Sequence, residues 1–285
     1  MKTRAGDRIF QAAVLGVGLV VIGLVLALGA SLAWDSRLAW KAFGSSFLWT
    51  STWDPVEEVF GVLPFVYGTL ASSAIALAIA VPLGVGAAIF LAELAPPRVS
   101  ETCSFLIELL AAVPSVILGL IGIFVLVPVM RTAGAPYGVG LLTAGVILSM
   151  MILPYITSIT REVLLSVPRP LKEAMLALGA TRWEVVRGVS LPYARSAILG
   201  AVFLALGRAL GETMAVTMVI GNTPKISMSL VDPSYTMAAV IANELAEATS
   251  DLYLHSLIAV ALVLFGITIL VNAAARLLIY RTARI

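Results

Sequence analysis

Cysteine, histidine and charge are all scarce in this chain of 285 residues, and each shortage removes a class of protein. The single cysteine, Cys103, cannot form an internal disulfide and says nothing about redox compartment. With one cysteine and one histidine, a structural zinc site lacks its usual ligands. No Walker-type phosphate loop and no Gly-x-Ser-x-Gly elbow occurs, so the chain is expected to make and break no bonds of its own. Charged residues make up only 12% of the sequence and apolar residues 60%. A water-soluble domain with that balance would have a surface made mostly of hydrocarbon, which excludes one here.

What is present is long apolar runs. Six stretches, at about 10–33, 64–92, 104–130, 139–160, 197–221 and 254–279, are long and apolar enough to cross a bilayer as helices. They are continuously apolar rather than alternating, so they do not read as barrel strands. An all-α membrane protein with six transmembrane helices is expected. Lys2, Arg4 and Arg8 precede the first run as they would in a secretory leader. That run is about twice the length of a leader's apolar core, and it reads as an uncleaved anchor helix.

Lysine and arginine set the topology. With the N-terminus inside, thirteen of the eighteen fall on the inner side and only Arg37, Lys41, Arg131 and Lys225 on the outer, while Arg208 lies within a span. The positive-inside rule then places both termini in the cytoplasm. The outer segments are acidic, with Asp35, Asp54, Glu57, Glu58, Asp232, Glu244, Glu247 and Asp251.

The outer loop over 34–63 holds Trp34, Trp40, Trp49 and Trp53, which suit the membrane–water interface as anchors. In the second outer segment, 222–253, Met237, Val240, Ile241 and Leu245 fall at helical spacing. They suggest a short helix against the bundle or the interface, the alternative being a solvated loop with one amphipathic turn. Pro82, Pro114 and Pro154 lie inside apolar runs, where they either kink helices for packing or shape a pathway. Ala111, Ala112, Pro114, Ser115, Gly119 and Gly122 give the third span a small-residue face for close helix approach or for a narrow polar lining. Glu108, one turn inside that expected span, is either an interfacial carboxylate or part of an inner gate.

The inner segment 171–192 reads LKEAMLALGATRWEVVRGVSLP. Gly179 can end a first helix, and Thr181 with Glu184 makes a capping box that starts a second. Ala174, Leu178 and Trp183, flanked by Arg182 and Arg187, form a knob suited either to a partner's groove or to the lipid surface.

Glu173-Ala174, Gly179 six residues on, and Val189-Ser190-Leu191-Pro192 resemble the EAA loop of ABC-importer permeases, with Met175 in place of the third-position alanine and Val189 in place of the usual isoleucine. Trp53-Asp54-Pro55, Tyr67-Gly68-Thr69-Leu70, Pro114-Ser115, Ser158-Ile159-Thr160-Arg161-Glu162, Gly207-Arg208-Ala209-Leu210-Gly211-Glu212-Thr213 and Gly221-Asn222-Thr223 are similar to the C-type permease of the phosphate-specific (Pst) importers. The resemblance implies the type I ABC-importer permease fold, with an anchor helix and outer loop over 1–63 and a permease core over 64–285. It implies that Glu173, Ala174, Gly179, Thr181, Arg182 and Trp183 couple to ATPase subunits. The implied partners are a paralogous A-type permease in a heterodimer, two cytoplasmic ATPases and a periplasmic phosphate-binding protein, all at the bacterial inner membrane. Nucleic acid is not among them. No cofactor is expected on this chain, since ATP and magnesium would sit on the ATPases.

The costliest feature is Arg208 with Glu212, inside the fifth apolar run. A charge at the bilayer centre costs about 2.5–3.5 kcal/mol on insertion scales. On one continuous helix, residues four apart share a face, so the two could pair or bound one site. Arginine's planar fork suits an oxyanion shedding its water, and Ser115 and Thr213 could add hydroxyls. The alternative is a buried ion pair that only fixes helix register. Substrate-path residues are accordingly expected at Arg208, Glu212, Ser115 and Thr213. A sulfate or molybdate permease, and an ATPase-independent anion channel or secondary transporter, are the competing functions.

Overall fold

The computed structural model describes residues 5–282. Lys2, Arg4 and Arg284, which contribute to the charge asymmetry, lie outside them. Six helical stretches have the length and apolarity to span a membrane: Gly6–Asp35, Leu63–Leu94, Ser115–Thr132, Leu141–Leu165, Arg182–Leu210 and Asp251–Arg281. The all-α, six-span expectation is met.

The chain begins with α1 (Ala5–Asp35) and α2 (Arg37–Phe43), followed by a two-stranded hairpin, β1 (Trp53–Asp54) and β2 (Val59–Phe60). Next come α3 (Leu63–Ile89), α4 (Pro97–Ala111), α5 (Ser115–Ile121), α6 (Val127–Thr132) and α7 (Leu141–Leu165). The inner loop forms α8 (Arg169–Ala177) and α9 (Arg182–Val185), which leads into α10 (Leu191–Leu210). Then α11 (Met214–Val219), α12 (Met237–Glu244) and α13 (Asp251–Thr282) complete the fold.

α3 and α7 form the most extensive helix pair and the centre of the bundle. Their approach depends on small residues. A Cβ on Gly145 of α7 would lie 2.4 Å from the Ile75 side chain of α3, and one on Gly84 would lie 3.0 Å from Ile156. Backbones come close where side chains are absent, and dispersion contacts then replace the hydrophobic drive that lipid cannot supply. Around this pair Ala76, Ala80, Ile147, Leu148, Ile152 and Ile156 make the membrane-level core with Val216 and Val219 of α11.

The third span is shorter than expected. The run 104–130 is not one helix: α4 ends at Ala111, and a new helix starts at Ser115 after Pro114. Proline carries no N–H and disfavours the helical region at its preceding residue; α3 and α7 continue through Pro82 and Pro154, but at Pro114 the backbone turns to ψ 136° and the helix breaks. Glu108 therefore belongs to α4, a separate helix that precedes the span and packs on α7. Gly119 and Gly122 do serve close approach. A Cβ on either would fall 2.6 Å from α11, against Met218 and Val219 respectively.

Within 34–63 the tryptophans divide. Trp34 and Trp49 are exposed, but Trp53 is buried and Trp40 half-buried. Trp53 packs edge-on to Phe60 and Phe65, with centroids 4.8 and 4.9 Å away, and Phe60 stacks on Tyr253. Two of the four expected interfacial anchors thus pack into a second core, Trp53 within it and Trp40 against it, through edge-on contacts between rings. The helix in 222–253 exists as α12. Met237 and Val240 are fully buried, and Met237 N donates to Thr69 Oγ1 of α3 at 2.9 Å, so the helix lies against the bundle.

Candidate functional site

The stretch carrying Arg208 and Glu212 is not one helix either. α10 ends at Leu210, with Gly211 as its cap, and α11 begins at Met214. Two glycines a turn apart, Gly207 and Gly211, weaken the helix by about 1 kcal/mol each relative to alanine. Glu212 completes the break: its Oε1 accepts from Ala215 N at 3.3 Å, satisfying a backbone N–H at the start of α11. The shared face required four residues of unbroken helix, and Arg208 and Glu212 do not form an ion pair. Among the described residues the two ion pairs are Arg161–Glu162 and Lys172–Glu93.

Arg208 instead extends over Tyr155 of α7, its Cζ 4.6 Å from the ring centroid. It opens onto a pocket of about 390 Å³ lined also by Phe203, Leu204, Gly207, Thr268 and Asn272. Asn272 donates from Nδ2 to Thr268 O at 2.8 Å, and Thr268 Oγ1 donates to Leu264 O at 2.8 Å, which fixes both on α13. An aromatic face attracts a guanidinium without neutralising it. The pocket thus offers a permanently charged donor fork beside a side-chain amide, a combination able to accept an oxyanion as it sheds water.

Thr213 lies at the break and Ser115 opens α5; neither lines this pocket. α5 and α11 run parallel, with Gly119 against Ala215 and Met218 and Gly122 against Val219. Thr213 Oγ1 donates to Gly211 O at 3.3 Å. Glu212 and Thr213 thus lie in the break between α10 and α11, Ser115 starts α5, which packs along α11, and Arg208 stands one turn before the break.

The inner loop folds as its sequence dictates. Gly179, at φ +87°, ends α8 in the left-handed region. Ala180 N donates to Met175 O at 3.2 Å and Gly179 N to Leu176 O at 3.0 Å, the paired bonds of a Schellman cap. Thr181 Oγ1 accepts from Glu184 N at 3.3 Å while Thr181 N donates to Glu184 Oε2 at 2.7 Å, closing the capping box. The elbow presents Glu173, Ala174, Arg182 and Trp183 at the surface, with Leu178 86% exposed. It is tied to the bundle by Lys172, whose Nζ lies 2.7 Å from Glu93 Oε1 and donates to Leu164 O at 3.2 Å. From α9 a π-helical turn, Val186–Ser190, leads without interruption into α10 and so towards Arg208.

Residues 80–284 match the family of binding-protein-dependent transport system inner membrane components. Over 96% of its length the chain is 48% identical to a phosphate transport system permease protein PstC from Mesorhizobium japonicum, of which 90% is covered. It is 45% identical over 94% of its length to the protein of the same name from Xylella fastidiosa, of which 88% is covered. The chain belongs to the PstC permease family. It is thus a multi-pass inner-membrane subunit of an ABC importer, a class that works with a binding protein. The fold is shared with a solved bacterial ABC transporter involved in import of the acidic polysaccharide alginate, at TM-score 0.64 and 16% identity over 96% of this chain and 99% of that one.

Two features of this permease escape sequence reading. Tyr155, Thr268 and Asn272 reach Arg208 only through tertiary packing, although an amide within the last apolar run is a signal of its own. Second, Glu244 Oε2 accepts from Trp53 Nε1 at 2.9 Å and from Tyr253 Oη at 2.7 Å, locking the 53–60 hairpin onto α12 and α13. Beside it Asn243 Nδ2 donates to Tyr235 Oη at 3.0 Å. Burial pushes the Tyr235 phenol well above its ordinary range; Asn243 opposes the shift and the Glu244 charge adds to it.

Proposed function

We propose that this permease subunit provides the membrane path for inorganic phosphate in an ATP-driven importer, with Arg208 as the charged donor on that path. Identity of 48% to a phosphate transport system permease across nearly all of both chains carries this reading, and the Arg208 pocket supplies a chemistry that fits it. Glu212 and Thr213 flank the path at the break between α10 and α11, and Ser115 flanks it from the start of α5. Glu212 acts there through α11, whose first turn its carboxylate caps, and not as a partner of Arg208.

In the same reading the elbow of α8 and α9 docks on two cytoplasmic ATPase subunits, and a paralogous permease completes the translocation unit. A phosphate-binding protein delivers substrate on the acidic outer side, and both termini lie in the cytoplasm. ATP and magnesium belong to the ATPases. Movement of the elbow passes along α10, where Pro192 and Arg208 are separated by about 24 Å at 1.5 Å per residue.

Reconstitution of the chain with those partners in proteoliposomes tests this. Labelled phosphate should accumulate only with ATP, binding protein and all subunits present, and assembled Arg208→Ala complexes should not transport. Preferential uptake of sulfate or molybdate would overturn the substrate, and ATP-independent uptake by the chain alone would overturn the importer role.

A further inference from the structure

Of the four cations expected on the outer side, Lys225 lines a pocket and Arg131 is bonded to a residue of its lining. This pocket of about 470 Å³ is lined by Tyr137, Val139, Gly221, Thr223, Lys225, Asp232 and Pro233. Arg131 adjoins it: its Nε donates to the backbone O of the lining residue Tyr137 at 3.0 Å, which brings its charge next to the pocket. The pocket is separate from that of Arg208. It lies beyond the opposite end of α11 from the break at Gly211–Thr213.

Its walls are fixed. Gly140 N donates to Val219 O at 3.0 Å, Thr223 N to Ser234 O at 3.1 Å and Ser234 N to Ile220 O at 3.0 Å, so the segments around 137–140, 219–223 and 232–234 are stitched together. Glycine is required where they meet. A Cβ on Gly221, at φ +95°, would lie 2.7 Å from Pro233, and one on Gly138, at φ +72°, would lie 2.5 Å from Val127 O. A wall built this tightly holds its polar groups in place before any ligand arrives.

The electrostatics favour an anion. Lys225 is exposed and, among the described residues, has no ion-pair partner. The one lining carboxylate, Asp232, accepts from Ser227 Oγ at 2.6 Å. Lys225 and Arg131 outweigh it, whereas the remaining outer segments carry Asp35, Asp54, Glu57, Glu58, Glu244, Glu247 and Asp251 against only Arg37 and Lys41. A local positive field within an acidic surface concentrates anions at that point and excludes them elsewhere. The volume corresponds to roughly fifteen waters at ~30 Å³ each, room for a small oxyanion with part of its hydration.

Resting on the phosphate-permease reading, we infer that this pocket is an outer receiving site for inorganic phosphate, held by Lys225, Arg131 and the hydroxyl of Tyr137. The anion is received there before it passes inward along α11 to the level of Glu212 and Arg208. It arrives either from a binding protein or from bulk solution, and both sources present the same anion.

The test is equilibrium binding of labelled phosphate to the complete transporter complex without binding protein, together with uptake by the same complexes with it. Wild type should bind phosphate saturably and in a salt-sensitive manner. Lys225→Gln and Arg131→Gln should each weaken binding about threefold to tenfold, while Lys225→Arg should restore it. Arg208→Ala should abolish uptake yet keep this binding, which separates the two sites. In uptake, Lys225→Gln should raise the phosphate concentration needed for half-maximal rate when the binding protein is limiting, with the maximal rate preserved. Wild-type binding in the Lys225→Gln/Arg131→Gln double variant, or loss of all binding in Arg208→Ala, would overturn the outer site while leaving the phosphate reading intact. Sulfate uptake in place of phosphate by wild type would overturn that reading itself.

Discussion

The Arg208 guanidinium lies 4.6 Å above the ring of Tyr155, joining α10 to α7 across the pocket that Asn272 also lines. A charged fork on a rotatable stem would otherwise sample many orientations, and a face-on ring narrows them while leaving the fork's donors available.

That relationship predicts a graded series at position 155. A guanidinium over a ring is worth about 0.5–2 kcal/mol, so Tyr155→Leu should slow phosphate uptake roughly twofold to thirtyfold. Tyr155→Phe keeps the ring and should stay near wild type. Arg208→Lys keeps the charge but loses the planar fork and should transport poorly. Initial uptake rates in complexes matched for subunit content check all three. Equal losses in the Leu and Phe variants would assign the effect to the phenol hydroxyl instead.

The elbow makes a different prediction, about coupling rather than substrate. Gly179 sits at φ +87° with nothing within 4 Å of where a Cβ would be, so conformation and not space restricts the position. A β-branched residue held in the left-handed region costs about 1–2 kcal/mol, whereas asparagine tolerates it better. Gly179→Val should therefore lower phosphate moved per ATP hydrolysed, with Gly179→Asn close to wild type. Measuring ATP hydrolysis and uptake on the same proteoliposomes decides it. An unchanged ratio in Gly179→Val would remove the elbow from the coupling route.

The elbow was legible because its determinants are local: a glycine for positive φ and a Thr-x-x-Glu box lie within a few residues of one another. The spans were legible for a similar reason, since length and apolarity alone qualify a helix to cross lipid. The breaks at Ala112–Pro114 and Gly211–Thr213 were not, because hydropathy registers side chains and is blind to the backbone bonds that proline, glycine and a capping carboxylate redirect. Arg208 announced itself through its charge. Tyr155 did not, because an aromatic residue beside Pro154 in an apolar run looks like any other core residue until α10 packs on α7. Trp53 was misplaced for the opposite reason: tryptophan suits both interfaces and aromatic cores, and only Glu244, far along the chain, decides between them.

That carboxylate carries the last prediction. Glu244 Oε2 receives both Trp53 Nε1 and Tyr253 Oη, and these two donors are the polar edges of the ring cluster formed with Phe60 and Phe65. Glu244→Ala leaves both donors in a half-buried site without their acceptor, at about 1–3 kcal/mol for each group left unsatisfied. Glu244→Gln keeps an acceptor oxygen and loses only the charge, so its cost should be smaller. The hairpin of β1 and β2 is held to α12 and α13 through this point, and the damage should concentrate there. Limited proteolysis of the assembled complex should cut Glu244→Ala faster than wild type between residues 49 and 60, and its thermal unfolding should begin earlier. Trp53→Phe combined with Glu244→Ala should cost less than the sum of the two changes, because the first removes a donor that the second would strand. Strict additivity in that double variant would mean that Trp53 is held by ring packing alone.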